Sequence, residues 1–525
     1  MIINIALKDF HNNLISARFA IGFILCLFLI PFTMLVSIND YRSQVINYEI
    51  AREAADRINE VRVYSALRPE IVIPPEPLSI FSRGISFNVG NTVKILLGEK
   101  PLFATGQVAT RENPLMNAFF SIDFISIIAI ILSLIAIIFT YDACSRERED
   151  GTLKLALSNP VSRSTILLGK IIGVMLTLIP ILLFCYLLSV IMILFSPHIS
   201  FSAGEWTRIG LLFAASILFF TLFIMIGIFV STRFRSSAAS MVTCLSIWIV
   251  ACFVISNLSV YAASSFVNVD SREKLNRDLE MVSDEFYEKH EYKGDYMSFK
   301  GNYIGSDGYA EMTATPKKLI EDIRNNRIES EPARIEYAEK KWAYQKEYLD
   351  KLDNQRTFAE HLSFVSPTEI FQLLASELCR TDVQSYYRFL DMTRQYREQL
   401  IQYFQDNDIF SSYTYFTREK PEEFMTLDEM TSISSGGVFK TWASFMSWAE
   451  KHSGDLSPLF KGSLELKAYG EYPPLDLSDI PRFNFEPVPL TVELKKTLFK
   501  ISAMILCGIV LFYLSFVSFT RYDVR

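Results

Sequence analysis

Six runs in this 525-residue chain are each apolar over a length that crosses a bilayer, and that leaves few folds open. A helix needs about 20 apolar residues to cover roughly 30 Å of hydrocarbon at about 1.5 Å per residue. The runs at 19–38, 122–141, 166–195, 209–231, 238–260 and 499–519 meet that length. Unpaired peptide groups are costly in hydrocarbon, so continuous apolar segments of this kind fold as helices. The third run is longer than a span needs and holds Pro180, which predicts tilt or a kink; Pro31 predicts a bend in the first. The fold class read from this pattern is an all-α membrane protein. It has six transmembrane helices and a large, mainly helical extracytoplasmic domain between the fifth and sixth.

Lys and Arg in short segments stay on the cytoplasmic side. Lys8 and Arg18 precede the first span, a basic and acidic hairpin follows the second, Arg233 and Arg235 follow the fourth, and Arg521 and Arg525 follow the sixth. Threading six spans alternately puts all of these on one side. Residues 1–18, the hairpin at 142–165, the loop at 232–237 and the tail at 520–525 are therefore expected in the cytoplasm, with both termini. The opposite side receives 39–121, the loop at 196–208 and the block at 261–498. Lys495, Lys496 and Lys500 fall there against the rule, which acts weakly at the flanks of long translocated domains. The apolar run after Arg18 has no small-residue cleavage site behind it and is expected to remain as an anchor, preceded by a short amphipathic interfacial helix.

The membrane runs explain why half the residues are hydrophobic and why Phe numbers 42, but they do not extend through 268–425, which is as charged as a soluble helical protein. A net charge of −7 over this length is too dilute to specify a partner and speaks against nucleic acid. The seven cysteines form no CxxC spacing, and five of them, Cys26, Cys185, Cys244, Cys252 and Cys507, sit inside apolar runs, so neither a metal centre nor a disulfide framework is expected. His11, His198, His290, His361 and His452 are isolated, with no HxxH or HExxH pattern. Asp123 stands at the edge of the second span, where a carboxylate is either a functional group or a solvated one. Asn257-Leu258-Ser259 matches a glycosylation acceptor but abuts a span, and is read as chance.

Between the spans, DYRSQVINYEIAREAADRINEV predicts a polar helical continuation of the first, and IVIPPEPLSIFSRGISFNVG predicts extended structure. EPARIEYAEKKWAYQKEYLDKLDNQR carries opposite charges three and four apart, a helical pattern. Ser366 and Pro367 open a further helix in which Phe371, Leu374 and Leu378 recur at helical spacing. Residues 430–490 are richer in Gly, Ser and Pro and read as loops and short strands.

The densest charge lies in YDACSREREDGTLKLALSNPVSRSTILLGK, residues 141–170, with five Arg or Lys and four Asp or Glu between two spans. Arg146 and Asp150 are one helical turn apart, and Gly151 permits a sharp change of direction. Thr152 can cap a second short helix that puts Leu153, Ala156 and Leu157 on one face, and Asn159-Pro160 ends it. The shape suits docking into a groove on a soluble partner. Topology alone requires only the basic residues, since acidic ones contribute little to orientation, so Glu147, Glu149 and Asp150 call for another reason.

The stretch EREDGTLKLALSNPVSRSTILLGK, 147–170, resembles the signature of membrane subunits of ABC-2 type exporters, above all the branch of the nitrous-oxide-reductase maturation and gliding-motility permeases. KDFHNNLISARF, PEPLSIFSRG, SPTEIFQLLASELCRTDVQSYYRFL and the closing FTRYDVR are similar to further segments of that family, thinly over 261–360 and 407–490. The resemblance implies two membrane subunits, as a homodimer or a heterodimer, with separate ATPase subunits beneath them. It implies a coupling element in which Glu147, Arg148 and Glu149 face the ATPase, Gly151, Thr152 and Leu153 shape the turn, and Arg146, Pro160 and Arg163 complete the motif. The chain contains no GxxxxGK[ST], so ATP and Mg are expected on the partner, and no cofactor or catalytic residue is expected here. GKIIG at 169–173 is read as structural.

Three function classes compete. The first is an exporter subunit in the cytoplasmic membrane of a bacterium, its substrate unspecified. The second is a mechanical or assembly component that uses the ATPase to move its large domain without carrying solute. The third, an intramembrane enzyme, needs converging polar residues within the spans, which show almost none.

Overall fold

The computed structural model describes residues 2–85, 89–104, 123–153, 162–197, 199–290, 317–452, 472–487 and 490–521. Of the features read above, Pro160 with Ala156, Leu157 and Asn159, His198, and parts of the loops on either side lie outside the described residues. The described chain is mostly helical, and six of its helices are long and apolar enough to cross a membrane. It is an integral membrane protein, and these six helices are its candidate spans.

Helix α1 (Ile2–Ile15) is the expected amphipathic leader. α2 (Ala17–Asp56) holds the first span and does not stop at its end: 40 residues at 1.5 Å each make about 60 Å, twice the hydrocarbon thickness. Pro31 lies inside it without ending it. α3 joins Phe124–Ile127, a π-helical turn at Ile128–Leu132 and Ser133–Thr140, and is followed by the short α4 (Ser145–Glu149). α5 (Arg163–Leu194), α6 (Ala203–Arg233) and α7 carry the next three spans; α7 joins Ser237–Ile249, a second π-helical turn at Val250–Val254 and Ile255–Phe266. Beyond the spans come α8 (Arg272–His290), α9 (Lys317–Ser363), α10 (Pro367–Leu378), α11 (Val383–Asp406), α12 (Leu427–Ser434) and α13 (Trp442–Lys451). The last span is α14 (Leu490–Thr520).

The apolar stretches of α3, α5 and α6 are half or more buried, whereas those of α2, α7 and α14 are less than a third buried. The three middle spans thus form the inside of the bundle, and the others present Phe28, Phe32, Val242, Leu506 and Ile509 outward. α3 and α6 approach closely because Gly227 has no side chain: a Cβ there would lie 1.9 Å from Thr140 Oγ1.

At the end opposite the hairpin, two segments distant in sequence share one core. Leu67, Ile71 and Val93 pack with Ile320, Phe389, Leu400 and Phe404. The fully buried Arg397 ties them, donating from Nε to the Leu96 carbonyl at 3.2 Å. Strands β1 (Glu70–Val72) and β2 (Thr92–Lys94) pair antiparallel with Ile71 opposite Val93. The extended structure expected around PEPLSI is confined to β1; Pro77–Ile80 forms a 3₁₀ turn instead, since Pro77 fixes φ at its first position.

α10 belongs to the block at 261–498 expected outside the spans. Ser366 caps it as predicted, accepting from Thr368 N at 3.2 Å, but its apolar stripe enters the core of the spans. Phe371 stacks on Phe219 of α6 with ring centroids 4.5 Å apart. Ser366 Oγ also donates to the Ala251 carbonyl in the π-helical turn of α7 at 2.6 Å, using an acceptor that the widened turn frees.

Replacing Gly227 with Val is expected to separate α3 from α6 at a cost of about 1–3 kcal/mol. The thermal midpoint of the purified protein should fall, and pairing Gly227→Ala with Thr140→Gly should restore most of it; an unchanged midpoint for Gly227→Val would contradict the close approach.

Candidate functional site: the charged hairpin

The hairpin's charges are divided between inward and outward positions. Glu147 Oε1 lies 2.7 Å from Lys170 Nζ, and the Lys170 side chain is only 6% exposed. Asp9 of α1 approaches the same ammonium at 4.0 Å, and burial pushes its carboxyl above the ordinary value against the pull of Lys170. α1 reaches this position because GKIIG forms a groove: a Cβ on Gly169 would lie 2.7 Å from Ile5 Cγ2, and one on Gly173 would lie 2.9 Å from Asp9 Cβ. The two glycines therefore seat the amphipathic helix on α5.

The remaining inward charges close helix ends. Arg148 Nη1 donates to the Phe234 carbonyl at the C-terminus of α6 at 3.2 Å. Arg163 Nη1 donates to the Phe519 and Thr520 carbonyls at the end of α14, at 3.0 and 2.6 Å. Both put a cation where unpaired carbonyls and the helix dipole concentrate negative charge. The Glu149 carboxylate does the reverse at the N-terminus of α7, accepting from Ser237 N at 3.0 Å and Ser237 Oγ at 2.6 Å. Ser231 of α6 accepts from the backbone N–H groups of Cys144 and Ser145 at 2.9 and 3.0 Å. Arg18 at the start of α2 pairs with Asp142 at 2.8 Å and bonds Tyr141 Oη at 3.0 Å.

Every span is thus bonded, at this end, to residues 138–170. Leu153 is buried with Cys144, Ile166 and Phe519, and Gly151 makes the preceding turn at φ +70°. Thr152 donates back to the Glu147 carbonyl at 3.3 Å. The outward surface is formed by Arg146 and Asp150, a loose pair at 3.8 Å whose side chains are 67% and 59% exposed, with Gly151, Thr152 and the outer edge of Glu149 beside them. The three residues that the resemblance sets together against a partner are divided here: Glu147 and Arg148 hold the bundle, Glu149 keeps an exposed outer edge, and Arg146 and Asp150 face away from the bundle.

Asp123 caps α3, accepting from Ser126 N at 2.7 Å and from Arg83 N at 2.9 Å. Among the described residues no three His, Cys, Asp or Glu side chains converge as a metal-holding group. Sequence reasoning missed Lys170, Asp9, Ser231 and Ser237. Of these only Lys170 gave a signal, being a lone cation inside an apolar run.

A family model described as ABC-2 family transporter protein matches residues 3–524, almost the whole chain. No curated protein matches it.

Glu147→Gln leaves Lys170 buried beside a carboxylate 4.0 Å away, and breaking such a pair costs about 3–5 kcal/mol. The double variant Glu147→Gln, Lys170→Met removes both charges and should regain most of the loss. Unfolding of the two variants compared with wild type checks this, and equal stability of the single variant and wild type would exclude the pair as a support.

Proposed function

Because this chain belongs to the family of ABC-2 transporter proteins, whose members generally work in the membrane with an ABC ATPase, we propose that it is the membrane-spanning subunit of an ATP-driven exporter. In this reading a separate ATPase binds ATP and Mg and docks beneath the hairpin. A second membrane subunit, identical or related, completes the path. The hairpin and both termini face the cytoplasm of a bacterium, and the large domain lies on the far side of the inner membrane. The motif at 147–170 supports placing the chain in the branch of the nitrous-oxide-reductase maturation and gliding-motility permeases.

The observation that carries this reading is the convergence of all six spans on residues 138–170. A partner that displaces the hairpin moves six helix ends together. Arg146, Asp150 and Thr152 are the exposed edge the ATPase reads, while Glu147, Arg148, Glu149, Leu153 and Arg163 pass its movement into the bundle. Exposed ion pairs contribute only about 0–1 kcal/mol each, so Arg146 and Asp150 set register and partner choice more than affinity.

The wedge formed by α10 favours a second reading. Because it joins the large domain to the span core, the ATPase could act by moving that domain without carrying solute. A continuous cavity between paired subunits separates the two readings, since only an exporter requires one.

Reversing the exposed pair with Arg146→Glu and Asp150→Arg is expected to lower recovery of the co-expressed ATPase about tenfold, and ATP turnover with it, while the thermal midpoint stays at the wild-type value. Full recovery and turnover would remove this edge from the docking surface.

A further inference from the structure

A groove of about 530 Å³, within the range of small-molecule sites, runs along the part of α2 that continues past its span. Its walls are mostly apolar, with Ile50 and Ala51 of α2 facing Ile73, Ile85 and Phe485. Four charged side chains stand around it: Asp40, Glu76, Arg380 and Asp382. Three of them have structural partners. Asp40 pairs with Arg83 at 2.6 Å, Arg380 pairs with Glu493 at 3.0 Å, and Asp382 caps α11 by accepting from Gln384 N at 3.0 Å.

Glu76 differs, because no donor among the described residues bonds its carboxylate. The charges that reach it are Arg380, Arg208 and Glu205 of α6, and Glu493 of α14. Arg208 is itself paired with Glu493 at 2.5 Å. Among the described residues these are two guanidiniums and, with Glu76, three carboxylates; Asp40 with its partner Arg83, and Asp382, add one further net negative charge around the apolar groove.

We propose that this groove is a binding site for a lipophilic cation, whose positive centre sits at Glu76 and whose apolar body lies against Ile50, Ile73, Ile85 and Phe485. A proton is the competing occupant: burial raises the Glu76 carboxyl to about 7, against the pull of Arg380 and Arg208 and with the help of Glu205 and Glu493. A neutral or anionic molecule of the same shape gains the apolar contact but leaves the charge unmatched. The site needs no ATPase, so it is tested on the isolated full chain and stands apart from the exporter reading.

The probes are tetraphenylphosphonium and tetraphenylborate, which are matched in shape and opposite in sign. Equilibrium dialysis is run against the chain in nanodiscs, with empty nanodiscs subtracted for partition into lipid. At pH 8 the phosphonium should bind saturably and the borate should not exceed the empty discs. A carboxyl titrating near 7 is about nine-tenths ionised at pH 8 and about one-tenth at pH 6, so affinity should fall about tenfold between them. Glu76→Gln should bind no more tightly than wild type at pH 6 and show no dependence on pH, and Ala51→Trp, which fills the groove without touching the charge, should abolish binding at both pH values. Phosphonium binding no greater than in empty discs, borate binding equal to it, or wild-type affinity at pH 8 in either variant would overturn the proposal.

Discussion

The ion pair of Lys170 with Glu147 is the fixed point of the hairpin end. An ammonium this deeply buried must keep its carboxylate, because losing it strands a charge among apolar side chains. Keeping it sets the position of Glu147, and with it the orientation of α4. Arg148 is then brought to the end of α6 and Glu149 to the start of α7. The same lysine draws in Asp9, so α1 is bound to the pair as well as to the glycine groove beneath it. A charged strip that could have served only orientation in the membrane is therefore also the fastening of the bundle. Among the described residues, Arg146 and Asp150 are held by a loose mutual contact at 3.8 Å.

Much of this was legible in the sequence where the signal is local. The spans follow from apolar length alone, and α2 continues as a helix where the polar stretch after the first span predicted it. The cap at Ser366 and the turn at Gly151 follow from single residues whose backbone preferences are strong. What sequence could not supply was the pairing of groups far apart in the chain. Glu147 reads as one more charge in a run of charges, and its partner lies 23 residues away across a turn. Leu67 and Phe389 read as belonging to separate segments, although they share one core. α10 was recognised as a helix by its period, but an apolar stripe does not say whether it will cover a soluble core or enter a bundle of spans. The π-helical turns had no signature at all, since each is a single i→i+5 widening inside an otherwise regular apolar helix.

The far end of the molecule follows a different logic. There the charges belong to helix termini and loop residues gathered from α6, α10 and α14. Arg208 and Arg380 both lean on Glu493, while Lys500 holds Glu377. Glu76 enters that group from the first long segment, with no donor to its carboxylate among the described residues. The hairpin end thus pairs its buried Lys170 with Glu147, while at the domain end the Glu76 carboxylate accepts from no donor among the described residues.

α2 connects the two ends as a single element. It is held at Arg18 by Asp142, and about 25 Å of it extends past Asp40 to form a wall of the groove. A helix without a break acts as a lever about its anchored end. The arm from Arg18 to Asp56 is about 57 Å, so a tilt of about 10° would carry its far tip roughly 10 Å. The inclination of the first span and the aperture of the groove are therefore one mechanical variable. Any force that tips the span at its bonded end is reported at the other as a change in what the groove can hold.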